Sequence, residues 1–161
     1  MEKAIITAIN KQINLEAYSA YVYLAMAAYF DELSLDGCSS WLKIQAKEEL
    51  SHMMKFYEYL VSQNVSVGFS DIKKPTETWK TPLTAFTVAL NHEKKVTDAI
   101  HRIMDLAIKH KDHRTKQFLL WFVEEQVEEE QEVQAIVDKI KLIRQESASI
   151  LIIDKELKSR E

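Results

Sequence analysis

Ile44-Gln45-Ala46-Lys47-Glu48-Glu49-Leu50-Ser51-His52-Met53-Met54-Lys55-Phe56 contains no glycine or proline. Its apolar residues continue a stripe that runs through Trp41, Ile44, Met53, Phe56 and Leu60. Steps of three and four residues put that stripe on one face of an α-helix. Glu49 and His52 interrupt it, three residues apart and therefore on a shared face. A helix that turns a carboxylate and an imidazole toward its own core needs partners there that can tolerate them.

Three more stretches of the chain show a stripe of this kind. Ile6, Ile9, Ile13, Ala20, Tyr23, Ala27 and Phe30 mark a helix expected over 4–33, and the second helix is expected over 38–63. Leu83, Phe86, Leu90, Val96, Ile100, Ile103 and Ala107 mark a third over 82–110. Phe118, Phe122, Val133, Ile136 and Ile140 mark a fourth over 113–144. The punctuation lies between them: Asp36-Gly37, the polar run Asn64 to Lys80 with Gly68 and Pro75, Thr81-Pro82 as cap and first helical residue, and Asp112 as a second cap. A short apolar tail, Ala148 to Leu157, follows Gln145-Glu146-Ser147. Short joints make helices one and two antiparallel, and likewise three and four. The central connection of about 17 residues reaches at most ~56 Å when extended, against ~39 Å for the second helix. It can therefore run the length of the bundle and leave helices two and three parallel. The expected fold is all-α, a four-helix up-down bundle with one long crossover and a short fifth C-terminal helix, forming one domain over 1–161.

Acids stand among the apolar positions of every long helix: Glu16, Glu49 with His52, Glu93, and Gln126 with Glu129. Each lies near the midpoint of its helix, and midpoints share one height whichever way a helix runs. Two like charges ~4 Å apart repel by ~4 kcal/mol at an effective dielectric of ~20, so four carboxylates in one interior layer require protons or cations. No Lys or Arg lies on these stripes near their midpoints. Two divalent ions would neutralise Glu16, Glu49, Glu93 and Glu129. Oxygen-rich ligands with a single imidazole suit iron or manganese. Di-iron bundles carry inward Glu residues plus two Glu-x-x-His motifs; here one is intact, Glu49 to His52, and its counterpart, Gln126-Val127-Glu128-Glu129, lacks the histidine.

Composition narrows the alternatives. Two glycines and two prolines among 161 residues are too few for a sandwich, barrel or doubly wound sheet. A net charge of −4 gives no footprint for nucleic acid. The single cysteine, Cys38, pairs with nothing in the chain, so a reducing cytoplasm is the expected compartment. Neither a signal-peptide core nor an apolar run of membrane-spanning length is expected.

Over essentially its whole length the chain resembles the non-haem bacterial ferritins. Asn14 to Ser19 in helix one, Ala46 to His52 in helix two, and Phe118 to Gln126 with Glu128 to Glu130 in helix four carry the resemblance. It implies a ferroxidase in which Glu16, Glu49 and His52 hold one iron, and Glu49 bridges to a second held by Glu93 and Glu129 with Gln126 alongside. A third iron site would fall on Glu48, Glu125, Glu128 and Glu129, with Tyr23 beside the centre. It further implies a homo-oligomeric shell of 24 subunits that oxidises Fe(II) with dioxygen or peroxide and stores ferric mineral, its short last helix lining the four-fold axes. Leu50 stands where bacterioferritins place a haem-ligating methionine, so no haem is expected. His113-Arg114-Thr115-Lys116-Gln117 departs from the acidic three-fold lining of animal ferritins.

Two rivals are kept. A soluble di-iron oxidase or peroxidase of rubrerythrin type normally has a second histidine motif and a Cys-x-x-Cys module. A DNA-protecting mini-ferritin builds its iron site between subunits. Other residues read as structural: Tyr18, Tyr21, Tyr29, Trp41, Met53, Met54 and Trp121 as packing, His92, His101, His110 and His113 as surface or helix-end residues, Glu124, Glu130 and Glu132 as solvated, and Cys38 as a reduced thiol near a helix start.

Overall fold

The computed structural model describes residues 1–143 and 147–160. It contains α1 (Lys3–Glu32), α2 (Asp36–Ser62), α3 (Pro82–Lys109), α4 (His113–Leu142) and α5 (Ser147–Leu157). The last residue of the expected fourth helix, Arg144, and the Gln145-Glu146 connector lie outside the described residues. Among those described no strand occurs, and no helix is long and apolar enough to cross a membrane.

The apolar core is in two parts. One gathers Tyr23, Phe30, Leu42, Phe86, Val137 and Ile140; the other gathers Ile5, Ile13, Phe56, Leu60, Ile100, Leu119 and Phe122. Low-numbered residues of α2 and α3 thus share one end of the bundle and high-numbered residues the other, so these helices run parallel. The late part of α1 meets the early part of α2, and α3 and α4 are related in the same way, so both pairs are antiparallel. The crossover does what its length allows. Asn10 accepts from the Gly68 amide (2.8 Å), Asn14 donates to the Ser70 carbonyl (3.1 Å), and Trp79 packs on Tyr29 near the other end of α1.

Thr81 caps α3 by accepting from the Thr84 amide, with Pro82 in the first turn, and Asp112 caps α4 by accepting from the Thr115 amide. The turn expected at Asp36-Gly37 lies earlier. Ser34, Asn64 and Lys111 take the left-handed conformation at the ends of α1, α2 and α3, while Gly37 is helical, in the first turn of α2. Its lack of a side chain serves packing: a Cβ there would lie 1.7 Å from the Asp154 carbonyl oxygen of α5. Asp154 in turn accepts from the Cys38 amide (2.8 Å), capping α2 from another helix. Of the apolar positions read from spacing, Ile6, Ile44, Met53, Leu83 and Phe118 are only half-buried, and Ile5 and Leu119 take the core places beside two of them, with Leu42 a further core residue of α2.

Candidate metal centre

Between the two apolar clusters lies a polar layer. Glu16 from α1, Glu49 and His52 from α2, Glu93 from α3, and Gln126 and Glu129 from α4 are each no more than 5% exposed. All four long helices contribute because each brings its inward face to this height.

The carboxylates are held by named donors. Gln12 donates to Glu16 Oε1 (2.8 Å) from one turn earlier on α1. Tyr23 donates its hydroxyl proton to Glu93 Oε1, and Gln126 donates to Glu93 Oε2 (3.3 Å). Gln45 donates to Glu129 Oε2. Two oxygens are left over: Glu16 Oε2 and Glu49 Oε2 are buried without any hydrogen-bond partner. Such an orphan is costly unless another ligand completes it. His52 Nδ1 lies 3.6 Å from Glu49 Oε2, and one donor atom from each of Glu16, Glu49 and His52 falls within a 4.8 Å span. Two donors each about 2.1 Å from one ion and set about 90–120° apart would lie roughly 3.0–3.6 Å from each other. The residues present therefore fit a cation.

The electrostatics agree. Burial raises Glu16 to about 7, against the opposing hydrogen bond from Gln12. Burial, then repulsion from Glu93, Glu16 and Glu129, holds Glu49 well above the usual carboxylate range. Glu93 is raised by burial, while the Tyr23 and Gln126 hydrogen bonds pull the other way. Glu129 is pushed up to about 9 by burial and by Glu93. Burial, then the Lys55 charge, lowers His52 to about 4, so at neutral pH its ring is uncharged and keeps a lone pair for a metal.

The residues expected to hold a third ion are divided. Glu125 joins Glu129 and His52 in a second group whose donor atoms lie within 4.8 Å, with Glu125 Oε1 3.7 Å from His52 Nε2. Glu128 is exposed. Glu48 turns to an arginine, Arg160, beyond α5 (2.8 Å). Neither belongs to a three-residue metal-ligand group among the described residues.

Several partners escaped the reading of spacing. Gln12 stands four residues before the buried Glu16 that it holds, a signal that was present in the chain, whereas Gln45 reaches across to Glu129 of α4, which no local spacing foretells. His92, expected at the surface, is buried: its Nε2 lies 2.7 Å from Ser19 Oγ, and its ring meets those of Tyr18 and Tyr23 edge-on. The packing of α1 on α3 closes over it, and nothing in its own helix foretells that. Glu130, expected to be solvated, accepts from the Thr97 hydroxyl (2.6 Å), and Glu132 lies 3.2 Å from Arg160. Trp121 packs edge-on against His52 but leaves 38% of its surface open, with the Lys55 ammonium over its ring.

A four-helix bundle with a carboxylate-rich interior layer, one imidazole and unsatisfied oxygens defines a metal-binding helical bundle. The ferritin-like domain profile matches residues 6–143. The chain is 36% identical to a bacterial non-heme ferritin of Campylobacter jejuni, across 99% of this chain and 95% of that one. It is 38% identical to a bacterial non-heme ferritin of Bacteroides fragilis over 95% of each. Its structure superposes on an open pore ferritin from the hyperthermophilic archaeon Archaeoglobus fulgidus with a TM-score of 0.98, at 41% identity over 100% of this chain and 99% of that one. The chain belongs to the ferritin family, and iron storage is the function that this membership supports.

Proposed function

We propose that this chain is a ferroxidase and a store: it oxidises Fe(II) at two adjacent intra-chain sites and keeps the ferric product inside a cytoplasmic shell of 24 copies. The observation that carries the reading is the buried layer of four glutamates in which Glu16 Oε2 and Glu49 Oε2 have no partner. In this reading Glu16, Glu49 and His52 take one Fe(II), and Glu49 is shared with a second taken by Glu93 and Glu129, with Gln126 alongside. Glu48, Glu125, Glu128 and Glu129 would receive a third. Carboxylates favour Fe(III) over Fe(II), and two neighbouring irons deliver two electrons together to dioxygen or peroxide. Tyr23 and Gln126 hold Glu93 in place, and Gln12 holds Glu16. With one imidazole among many oxygens, the centre passes its product inward instead of keeping it, so iron bound first should be displaced by iron added later in a pulse-chase.

The shell has its own support. Tyr21 and Leu24, three residues apart on one face of α1, are each at least half exposed in the single chain, and neighbouring apolar side chains left open in this way suit burial against another copy. A soluble di-iron oxidase would need an electron-transfer module; here the one cysteine is a buried thiol in the first turn of α2. Aerobic loading with Fe(II) followed by sizing tests both parts. A 24-subunit particle that takes up iron and elutes with it is expected. A dimer or 12-mer, or oxidation rates unchanged in Glu16→Ala and His52→Ala variants, would overturn the proposal.

A further inference from the structure

A guanidinium reaches the rim of the carboxylate layer from outside the four long helices. The Arg160 side chain is only 19% exposed. Its Nη1 donates to Gln45 Oε1 (2.8 Å), and its Nη2 donates to Glu48 Oε2 (2.8 Å) and lies 3.2 Å from Glu132 Oε2. Its guanidinium lies over the Trp41 ring, 4.6 Å from the centroid. A guanidinium has donors only, so the Gln45 amide must turn its oxygen to Arg160. That orientation aims the Gln45 NH2 at Glu129 Oε2, where its hydrogen bond is found. One side chain therefore does two things at the rim of the centre: it occupies Glu48 and it keeps a donor on Glu129. Both residues belong to the group that would receive a third cation.

We infer that Arg160 is a resident counter-cation of this rim, competing with a third divalent cation for Glu48 and, through Gln45, for Glu129, and so setting how tightly that cation is held. The inference rests on the proposed reading of Glu48, Glu125, Glu128 and Glu129 as a metal site. Arg160 is a positioning residue here, since it touches ligands and not the metal. A fixed charge on the rim would leave the third position lightly held and able to pass its ion on. Glu129 is shared between the third position and the second buried site, whereas Glu16, Glu49 and His52 make no hydrogen bond to Arg160 or Gln45.

Anaerobic titration with Co(II), followed by visible absorption and calorimetry, reads this without any turnover. In Arg160→Ala the weakest class of bound Co(II) should tighten about tenfold, the scale of removing one partly screened unit charge, or should appear where the wild-type chain shows none. Co(II) held by Glu16, Glu49 and His52, none of which hydrogen-bonds to Arg160 or Gln45, should keep its affinity. Arg160→Lys keeps the charge but loses the fork that grips Gln45 and Glu48 together, and should fall between. A purely structural arginine would move unfolding midpoints but not Co(II) affinity. The inference is overturned if the weakest class is unchanged or weaker in Arg160→Ala, or is absent from both proteins. If instead the wild-type chain binds no Co(II) that Glu49→Ala and His52→Ala weaken, the two-site reading itself fails and this inference falls with it.

Discussion

Tyr23 shows how a single side chain holds the centre together. Its ring is fully buried and its hydroxyl donates to Glu93 Oε1. Burial and the neighbouring Glu93 and Glu49 charges keep its own pKa well above the usual value, so it stays a neutral donor at any working pH. Tyr23→Phe removes that donor and leaves a buried carboxylate oxygen unmatched. The metal-free protein should lose about 1–3 kcal/mol in urea unfolding, and less once Co(II) occupies the layer. An equal loss in both states would mean that Tyr23 only packs. The same layer sets the pH response. Glu16 and Glu129, raised from 4.5 to about 7 and about 9, bind protons more tightly folded than unfolded. Their contribution is full below 4.5 and is lost as pH climbs through those folded values. His52, lowered from 6.5 to about 4, acts oppositely, losing its contribution as pH falls below 6.5. From pH 6.5 to 9 only the glutamates act, and the metal-free protein should lose about 3 kcal/mol. Bound Co(II) takes the place of the protons and should flatten the curve, as should Glu129→Gln. A metal-free protein that gains stability over that range would contradict the buried assignments.

At the scale of the helix, α5 is docked by Ile153 and Leu157 in the core, and its packing against the start of α2 is fixed by a close backbone contact and a cap. Gly37 lets the Asp154 carbonyl approach where a Cβ would stand 1.7 Å away, and the Asp154 side chain accepts from the Cys38 amide. In Gly37→Ala the backbone of α5 must shift, because the obstructing atom is main chain. The domain should lose at least about 1–3 kcal/mol, as overpacked sites do. Arg160 stands three residues beyond the end of α5, so the guanidinium should leave Glu48 and the Co(II) behaviour of Arg160→Ala should reappear. Wild-type Co(II) affinities in a destabilised Gly37→Ala protein would separate the two. Gly37 also marks the limit of what spacing reveals. Stripes, caps and a long crossover were readable because they follow from period, side-chain chemistry and chain length, all local properties. The four inward glutamates were readable because an acid in an apolar stripe is itself the anomaly. Gly37 read as a turn because its packing partner is more than a hundred residues away. Ser34, Asn64 and Lys111 turn the chain without glycine, since the flanking helices dictate a left-handed residue there. Arg160 was invisible for the same reason as Gly37: its partners on α2 and α4 meet it only in three dimensions.

For the whole molecule, the site and the proposed store separate cleanly. Every proposed ligand comes from one chain, so binding and oxidation should not require assembly, whereas keeping a ferric mineral in solution should. The outward face of α1 offers the means to part them. Tyr21 and Leu24, three residues apart, are 52% and 50% exposed on the side opposite the core. Leu24→Arg puts a charge into that patch, and because the side chain faces solvent in the single chain it should cost the bundle within about 0.5 kcal/mol. If copies pack through this face, burying an unpaired guanidinium there is prohibitive, and sedimentation should show the variant as small species. Those species should still bind Co(II) with wild-type affinity at the two buried sites and still oxidise Fe(II). Their ferric product should precipitate instead of co-eluting with protein. A small species that has lost Co(II) binding would show that the centre needs neighbouring copies, and a full-sized particle would remove this face of α1 from the interface.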